Sequence, residues 1–166
     1  MQIEIPELEL EYAEQRVRSR ARHRTLVGSL LGAGQQVPVL VVRRQGRYLL
    51  VDGYARVAAL KELARDIVEA IVLDTDLVDA LVLRHRMKAG RRTPLEDAWL
   101  IENLLETHGL TLAEVGLRLQ RSKGWVSRCL ALVRVLPKAA QEAVKRGLVP
   151  AQGARKYLVP LARANA

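Results

Sequence analysis

A proline near the middle of the chain separates two stretches with different hydrophobic rhythms. The segment Gly90-Arg91-Arg92-Thr93-Pro94 carries the break. Thr93 suits a helix cap, Pro94 suits the first helical position, and Glu96 stands three residues after Thr93, the capping-box spacing. Beyond Pro94 no run reads as a strand. Pro94–His108, Thr111–Leu119, Lys123–Leu136, Lys138–Arg146 and Ala151 to about Leu161 all carry helical periodicity. Before it, strand and helix signals alternate. The expected fold class is therefore α+β over 1–90, followed by an all-α domain over 91–166. At 166 residues and 49% apolar, the chain is long enough for one ordinary domain or two small ones.

The first part is read from its turns. Val37-Pro38-Val39-Leu40-Val41-Val42 is an apolar, β-branched run, and Arg47-Tyr48-Leu49-Leu50-Val51 is a second. Arg43-Arg44-Gln45-Gly46 between them signals a hairpin turn. Asp52-Gly53 closes the pair. Tyr54–Leu63 then reads as a helix, Ile67–Leu73 as a third strand, and Asp76 to about Lys88 as another helix. Upstream, residues 1–15 hold five glutamates and no base, and RVRSRARHR places Arg16, Arg18, Arg20, Arg22 and Arg24 at alternate positions. Two readings stand. One is a solvated first helix running to about Leu31, partly neutralised by the acidic lead. The other is a surface that tracks phosphates.

Charge and composition narrow the function. There are 27 Lys and Arg against 18 Asp and Glu, a net charge of +9, which favours an anionic partner, most often nucleic acid. No stretch approaches the roughly 18 apolar residues of a transmembrane helix, and the N-terminus lacks a signal-peptide core. The lone Cys129 cannot form an internal disulfide or a Cys-rich zinc site. His23, His85 and His108 share no metal-ligand spacing. No metal site and no catalytic residue is expected. A cytoplasmic location is the simplest expectation.

The sharpest local signal is LTLAEVGLRLQRSKGWVSRCLALVRVLP, Leu110 to Pro137. Thr111 caps a helix with Glu114 at capping-box spacing. Val115 and Leu119 face inward, and Gly116 is small where two helices would cross. Gln120-Arg121-Ser122 is the turn, with Gln120 where glycine is common, and Ser122 caps the next helix. Val126, Cys129, Leu130 and Val133 form its buried stripe, which leaves Lys123, Gly124, Ser127, Arg128 and Ala131 on the open side. This is a helix-turn-helix pattern, whose second helix places its first residues in the DNA major groove. The candidate DNA contacts are Ser122, Lys123, Gly124, Ser127 and Arg128, with Thr111 and Arg121 as backbone clamps. Trp125 either stacks on a sugar or fills the edge of the core, and its place beside the stripe favours the core.

At this point the chain, from about Leu26 to Leu161, resembles the ParB family of bacterial chromosome and plasmid partition proteins. GQQVPVLVV (Gly34 to Val42) resembles the family's GxxQPxxV entry, and LLVDGYARVAALKELA (Leu49 to Ala64) the surroundings of its GERRxR box. TPLEDAWLIENLLETHGLTLAEVGLRLQRSKGWVSRCLALVRVLP is similar to the family's NPIEEA…FGLTQEELAxxLGxSxxxVxxxLxLLxLP stretch, and LVPAQGARKYL to its LSAGHARALL helix. The resemblance implies a ParB/sulfiredoxin-like N-terminal nucleotide-binding module switched by CTP, with Mg2+. It implies a helix-turn-helix domain that binds a palindromic double-stranded site. It also implies a homodimer closing around DNA, a partner ATPase of ParA type, and a separate C-terminal dimerisation domain that this chain is expected to lack.

Carried over residue by residue, the nucleotide-binding candidates are Gly53, Tyr54 and Arg56, with Arg86 and Lys88 on a following basic surface. Gly53 at a strand-to-helix turn and Arg56 suit a phosphate. The departures are many. Tyr54, Ala55 and Ala58 replace the Glu and two of the Arg residues of the box, Val37 replaces the Gln of GxxQP, and ENxxR falls on His85-Arg86-Met87-Lys88-Ala89. Nuclease chemistry is not expected, because Asp74, Asp76 and Asp79 read as a helix entry and not a metal cage. Any enzymatic activity would be a weak CTPase. The expected function is a sequence-specific ParB-type DNA-binding protein in partition or mobile-element maintenance. The alternative is an accessory, transcription- or transposition-related DNA binder without a nucleotide switch.

Overall fold

The computed structural model describes residues 1–88 and 92–165. The chain forms two compact units, Met1–Ala80 and Leu81–Ala166. The expected boundary at 90/91, with Gly90 and Arg91, lies outside the described residues, as does Ala89.

The first unit is a mixed α/β fold on a five-stranded sheet. Its elements are β1 (Gln2–Glu4), β2 (Leu8–Glu9), α1 (Arg20–Ala33), β3 (Val39–Arg44), β4 (Arg47–Asp52), α2 (Tyr54–Glu62) and β5 (Ile67–Leu73). The sheet order is β1-β5-β3-β4-β2. β3 and β4 form the hairpin, joined by Gln45 (φ 49°) and Gly46 (φ 78°). Two positive φ values in a two-residue loop match the twist of the strands it joins. β3 runs parallel to β5, with Val41 opposite Val72. Leu30, Val41, Leu50, Val57, Leu60 and Val68 belong to one buried cluster, so α1 and α2 cover one face of the sheet.

The acidic lead is structural, which the sequence reading did not anticipate. Ile3, Ile5, Leu8 and Tyr12 are buried. β1 pairs antiparallel with β5, placing Ile3 opposite Val68, and β2 pairs parallel with β4. The alternation of polar and apolar residues over 2–5, Gln-Ile-Glu-Ile, is a strand signal that the charge of the lead obscured. The glutamates also find partners other than the expected ones. Glu9 and Glu11 each lie 2.6 Å from the Arg44 guanidinium on the hairpin, while Glu14 reaches back to the arginine run, at 3.7 Å from Arg18. The helix itself starts at Arg20, capped by Ser19, four residues later than the arginine run begins.

The second unit, among its described residues, contains helices and no strand. They are most of α3 (Leu77–Met87), α4 (Pro94–Glu106), α5 (Leu112–Leu119), α6 (Lys123–Arg134) and α7 (Lys138–Lys145), then α8 (Ala151–Gly153) and α9 (Val159–Ala164). α8 continues into α9 through a π-helical turn, Ala154–Leu158. Pro160 explains the widening: it lacks the N–H that would bond back one turn, and its ring crowds the preceding carbonyl. Leu95, Ala98, Leu132, Leu136, Val144 and Ala154 form the core. Thr93 and Glu96 complete the capping box at the start of α4, with both hydrogen bonds present. No helix among the described residues is long and apolar enough to cross a membrane.

Candidate nucleic-acid interface

α5 and α6 are joined by three residues whose geometry follows from a helix stop. Gln120 adopts the left-handed conformation (φ 55°, ψ 47°). The Arg121 amide donates to Gly116 O at 2.8 Å and the Gln120 amide to Leu117 O at 3.2 Å, the paired bonds of a Schellman ending. Gly116 is small where the turn and the start of α6 come close: a Cβ there would lie 2.8 Å from the Arg121 carbonyl oxygen and 3.6 Å from the Lys123 nitrogen. Ser122 Oγ accepts from the Trp125 amide at 3.1 Å and starts α6. At the start of α5, the Thr111 hydroxyl donates to Glu114 and also accepts the Glu114 amide. The Thr111 backbone amide, donating to the Glu114 carboxylate at 2.7 Å, and then the Thr111 hydroxyl hold that carboxyl below the usual carboxylate range.

The face this arrangement presents is polar and accessible. Thr111, Arg121, Ser122, Lys123, Gly124, Ser127 and Arg128 are all exposed. Six of the seven fall within the turn and the first two turns of α6. Arg128 folds back along the helix, so that a Cβ on Gly124 would meet its Nη1 at 3.3 Å. The Arg121 guanidinium lies over the Trp125 ring, 5.1 Å from its centroid. Trp125 is half-buried, an edge position. One expectation is corrected: Ala131 is 6% exposed and packs in the core with Leu132, because α6 buries a wider stripe than the periodicity suggested. Cys129 is buried, and burial pushes its thiol up to about 11, away from the reactive thiolate.

The nucleotide candidates sit in two places. Gly53, Tyr54 and Arg56 lie at the start of α2 in the first unit; Arg86 and Lys88 lie at the end of α3 in the second. Gly53 has φ 108°, and a Cβ would come within 2.4 Å of Val39 Cγ1, so no side chain fits. Gly53 is the cap residue of α2 and gives it no side-chain cap bond; a helix N-terminus favours an anion. Arg56 is half-buried, donates to Pro38 O at 3.2 Å, and has its pKa lowered by burial against the opposing charge of Asp52. These two residues fit a phosphate. Tyr54 serves the fold instead. Its hydroxyl donates to Leu50 O at 2.6 Å and accepts the Tyr12 amide at 3.2 Å, and Arg16 covers its ring at 4.8 Å. Arg86 donates to Arg118 O at 2.9 Å, near the carbonyl end of α5.

One group escaped the sequence reading. His85 Nε2 and Arg92 Nε approach the same oxygen of buried Asp97, at 3.3 and 3.2 Å. His85 is 3% exposed and Asp97 8%. The available signal was position: His85 falls four residues after buried Leu81 and so on the inward stripe of α3. No cluster of three His, Cys, Asp or Glu among the described residues could hold a metal ion.

Comparison with known proteins places this arrangement. No family model matches the chain. It is 31% identical over 132 residues to the nucleoid occlusion protein of Bacillus licheniformis, covering 78% of this chain and 46% of that protein. It is 28% identical over 152 residues to a probable chromosome-partitioning protein ParB of Helicobacter pylori, covering 90% of this chain and 52% of that protein. The chain thus spans about half the length of the curated relatives it matches. Among solved structures, it is similar to the C-terminally truncated ParB of Caulobacter crescentus complexed to the centromeric parS site. That match has a TM-score of 0.51 and 22% identity, and covers 99% of this chain and 90% of that one. A Pnob8-like ParB-N domain matches with a TM-score of 0.61 and 16% identity, covering 99% of this chain and 81% of that one. At these identities the structural likeness is one of fold, and the relatives in sequence support the ParB family for this chain.

Proposed function

We propose that this chain is the sequence-specific DNA-binding part of a ParB-type partition protein, and that α5, its turn and α6 work as a helix-turn-helix in an all-α domain. One observation carries the reading. A serine-capped helix start, Ser122–Arg128, presents Lys123, Gly124, Ser127 and Arg128 to solvent with Arg121 beside them. Small residues let the helix enter a major groove, the two cations reach base edges, and Thr111 and Arg121 hold phosphates. The parS complex of the Caulobacter relative supports double-stranded DNA as the partner. A two-fold site read by a homodimer, a ParA-type ATPase partner and a nucleoid- or plasmid-associated cytoplasmic location complete the proposal.

CTP is the second part of it. Gly53 and Arg56 would hold a phosphate at the start of α2, with the Arg86–Lys88 surface as a further candidate. The engagement of Tyr54 in the fold favours the variant reading, a DNA-binding accessory protein without a nucleotide switch.

Selection of bound fragments from a genomic pool, with and without CTP, tests both parts. The expected result is one palindromic motif. Lys123→Ala and Arg128→Ala should each weaken binding to that motif by about 1–3 kcal/mol while sparing non-specific binding. Uniform recovery from the pool would refute the specific reading. A CTP-dependent spread around the motif that disappears in Arg56→Ala would establish the switch, and its absence would favour the accessory reading.

A further inference from the structure

α1 carries charge that the fold does not use. Arg20, Arg22 and Arg24 are exposed, and none has an acidic partner among the described residues. The helix contains no acidic residue. All three arginines lie in its first half, at the positive end of the helix dipole, where cations are least favoured. Arg20 and Arg24 are also one turn apart, where like charges repel. His23, by contrast, pairs with Glu62 of α2 at 2.6 Å, and Leu26, Val27 and Leu30 pack in the core.

The face between these arginines is smooth. Ala21, Thr25, Gly28, Ser29 and Gly32 are exposed in succession along it. A Cβ at Gly28 or Gly32 would meet nothing within 4 Å, so packing inside the chain does not require either glycine. Glycine in a helix interior is destabilising relative to alanine. By helical spacing, Arg20 and Arg24 flank one side of the face and Arg22 the other.

We infer that this face of α1 is a second DNA-binding surface, which grips the phosphate backbone without reading sequence. Charge complementarity argues for it. The surface is cationic and unpaired in a chain of net charge +9, and its small residues let a sugar–phosphate ridge come close. Protein partners are held by aromatic and large apolar anchors; here the only large apolar side chain on the open side is Leu31, at the far end. Nucleic-acid interfaces are polar and strongly positive, as this one is. The inference rests on the DNA-binding reading above but concerns a different surface.

The test is the salt dependence of affinity for a labelled duplex of arbitrary sequence, measured on the whole chain between roughly 50 and 200 mM KCl. Each phosphate neutralised contributes about 0.9 to the slope of log K against log[salt]. The variant Arg20→Ala/Arg22→Ala/Arg24→Ala should lower that slope by roughly 2 to 3 and weaken binding about tenfold or more at 100 mM, for preferred and arbitrary sequences alike. The three-lysine variant should keep most of the slope. A matched control, Arg65→Ala/Lys138→Ala/Arg146→Ala, should leave it near the wild-type value. An unchanged slope in the α1 variant, or an equal fall in the control, would overturn the inference. So would ultracentrifugation showing that the α1 arginines hold two copies together while the slope stays intact. If the wild type binds no duplex, the DNA-binding reading fails as a whole. If it keeps a preferred site and an unaltered slope in the α1 variant, only the α1 surface fails.

Discussion

Single residues in this chain show how far local rules reach. Gly53 was legible as a turn glycine in the sequence, yet its full constraint is tertiary: φ is 108°, and Val39 Cγ1 occupies the space of a Cβ. Gly53→Ala therefore meets backbone strain and overpacking together, and should lower stability by about 3 kcal/mol in urea unfolding. A loss below about 0.5 kcal/mol would mean that β3 yields freely. Tyr54 shows the opposite limit. Its place in a degenerate nucleotide motif was visible, but the bond its hydroxyl accepts from the Tyr12 amide joins residues 42 apart in sequence. Gln120 lies between these cases. The turn was legible from the residues around it, and the left-handed backbone of a non-glycine residue was not.

At the scale of elements, caps were the most readable feature. Thr93 with Glu96 and Thr111 with Glu114 form both bonds of their capping boxes, since each box is written within four consecutive residues. The missed strands β1 and β2 have no such local code. They are three and two residues long and exist because β5 and β4 offer them unpaired edges. The His85–Asp97–Arg92 group is likewise assembled from two helices and the residues before the second. Its carboxylate is buried between two bases, so removing it leaves them uncompensated. Asp97→Ala should cost about 3–5 kcal/mol in thermal or urea unfolding. A variant as stable as the wild type would show that water or other partners satisfy His85 and Arg92.

Over the whole molecule, the acidic lead serves the sheet more than the arginine run that follows it. The lead closes both edges of the sheet, and short edge strands guard against pairing between molecules. Deleting residues 1–9 removes the buried side chains of Ile3, Ile5 and Leu8, a loss of about 5–8 kcal/mol of apolar burial, comparable to the stability of a small domain. The shortened chain should aggregate or lose its cooperative unfolding in size-exclusion and circular-dichroism measurements. A monomer with an unchanged urea midpoint would contradict this role. The arginines of α1 remain unpaired and open. By itself, the sequence determined the hairpin, the helices after Pro94, their caps and the exposed start of α6, because each depends on neighbours within a few residues. The tertiary structure alone decided the edge strands, the burial of Ala131, the use of Tyr54 and the partners of Glu9, Glu11 and Asp97. Those depend on which distant groups the fold brings within reach, and periodicity along one segment carries no record of that.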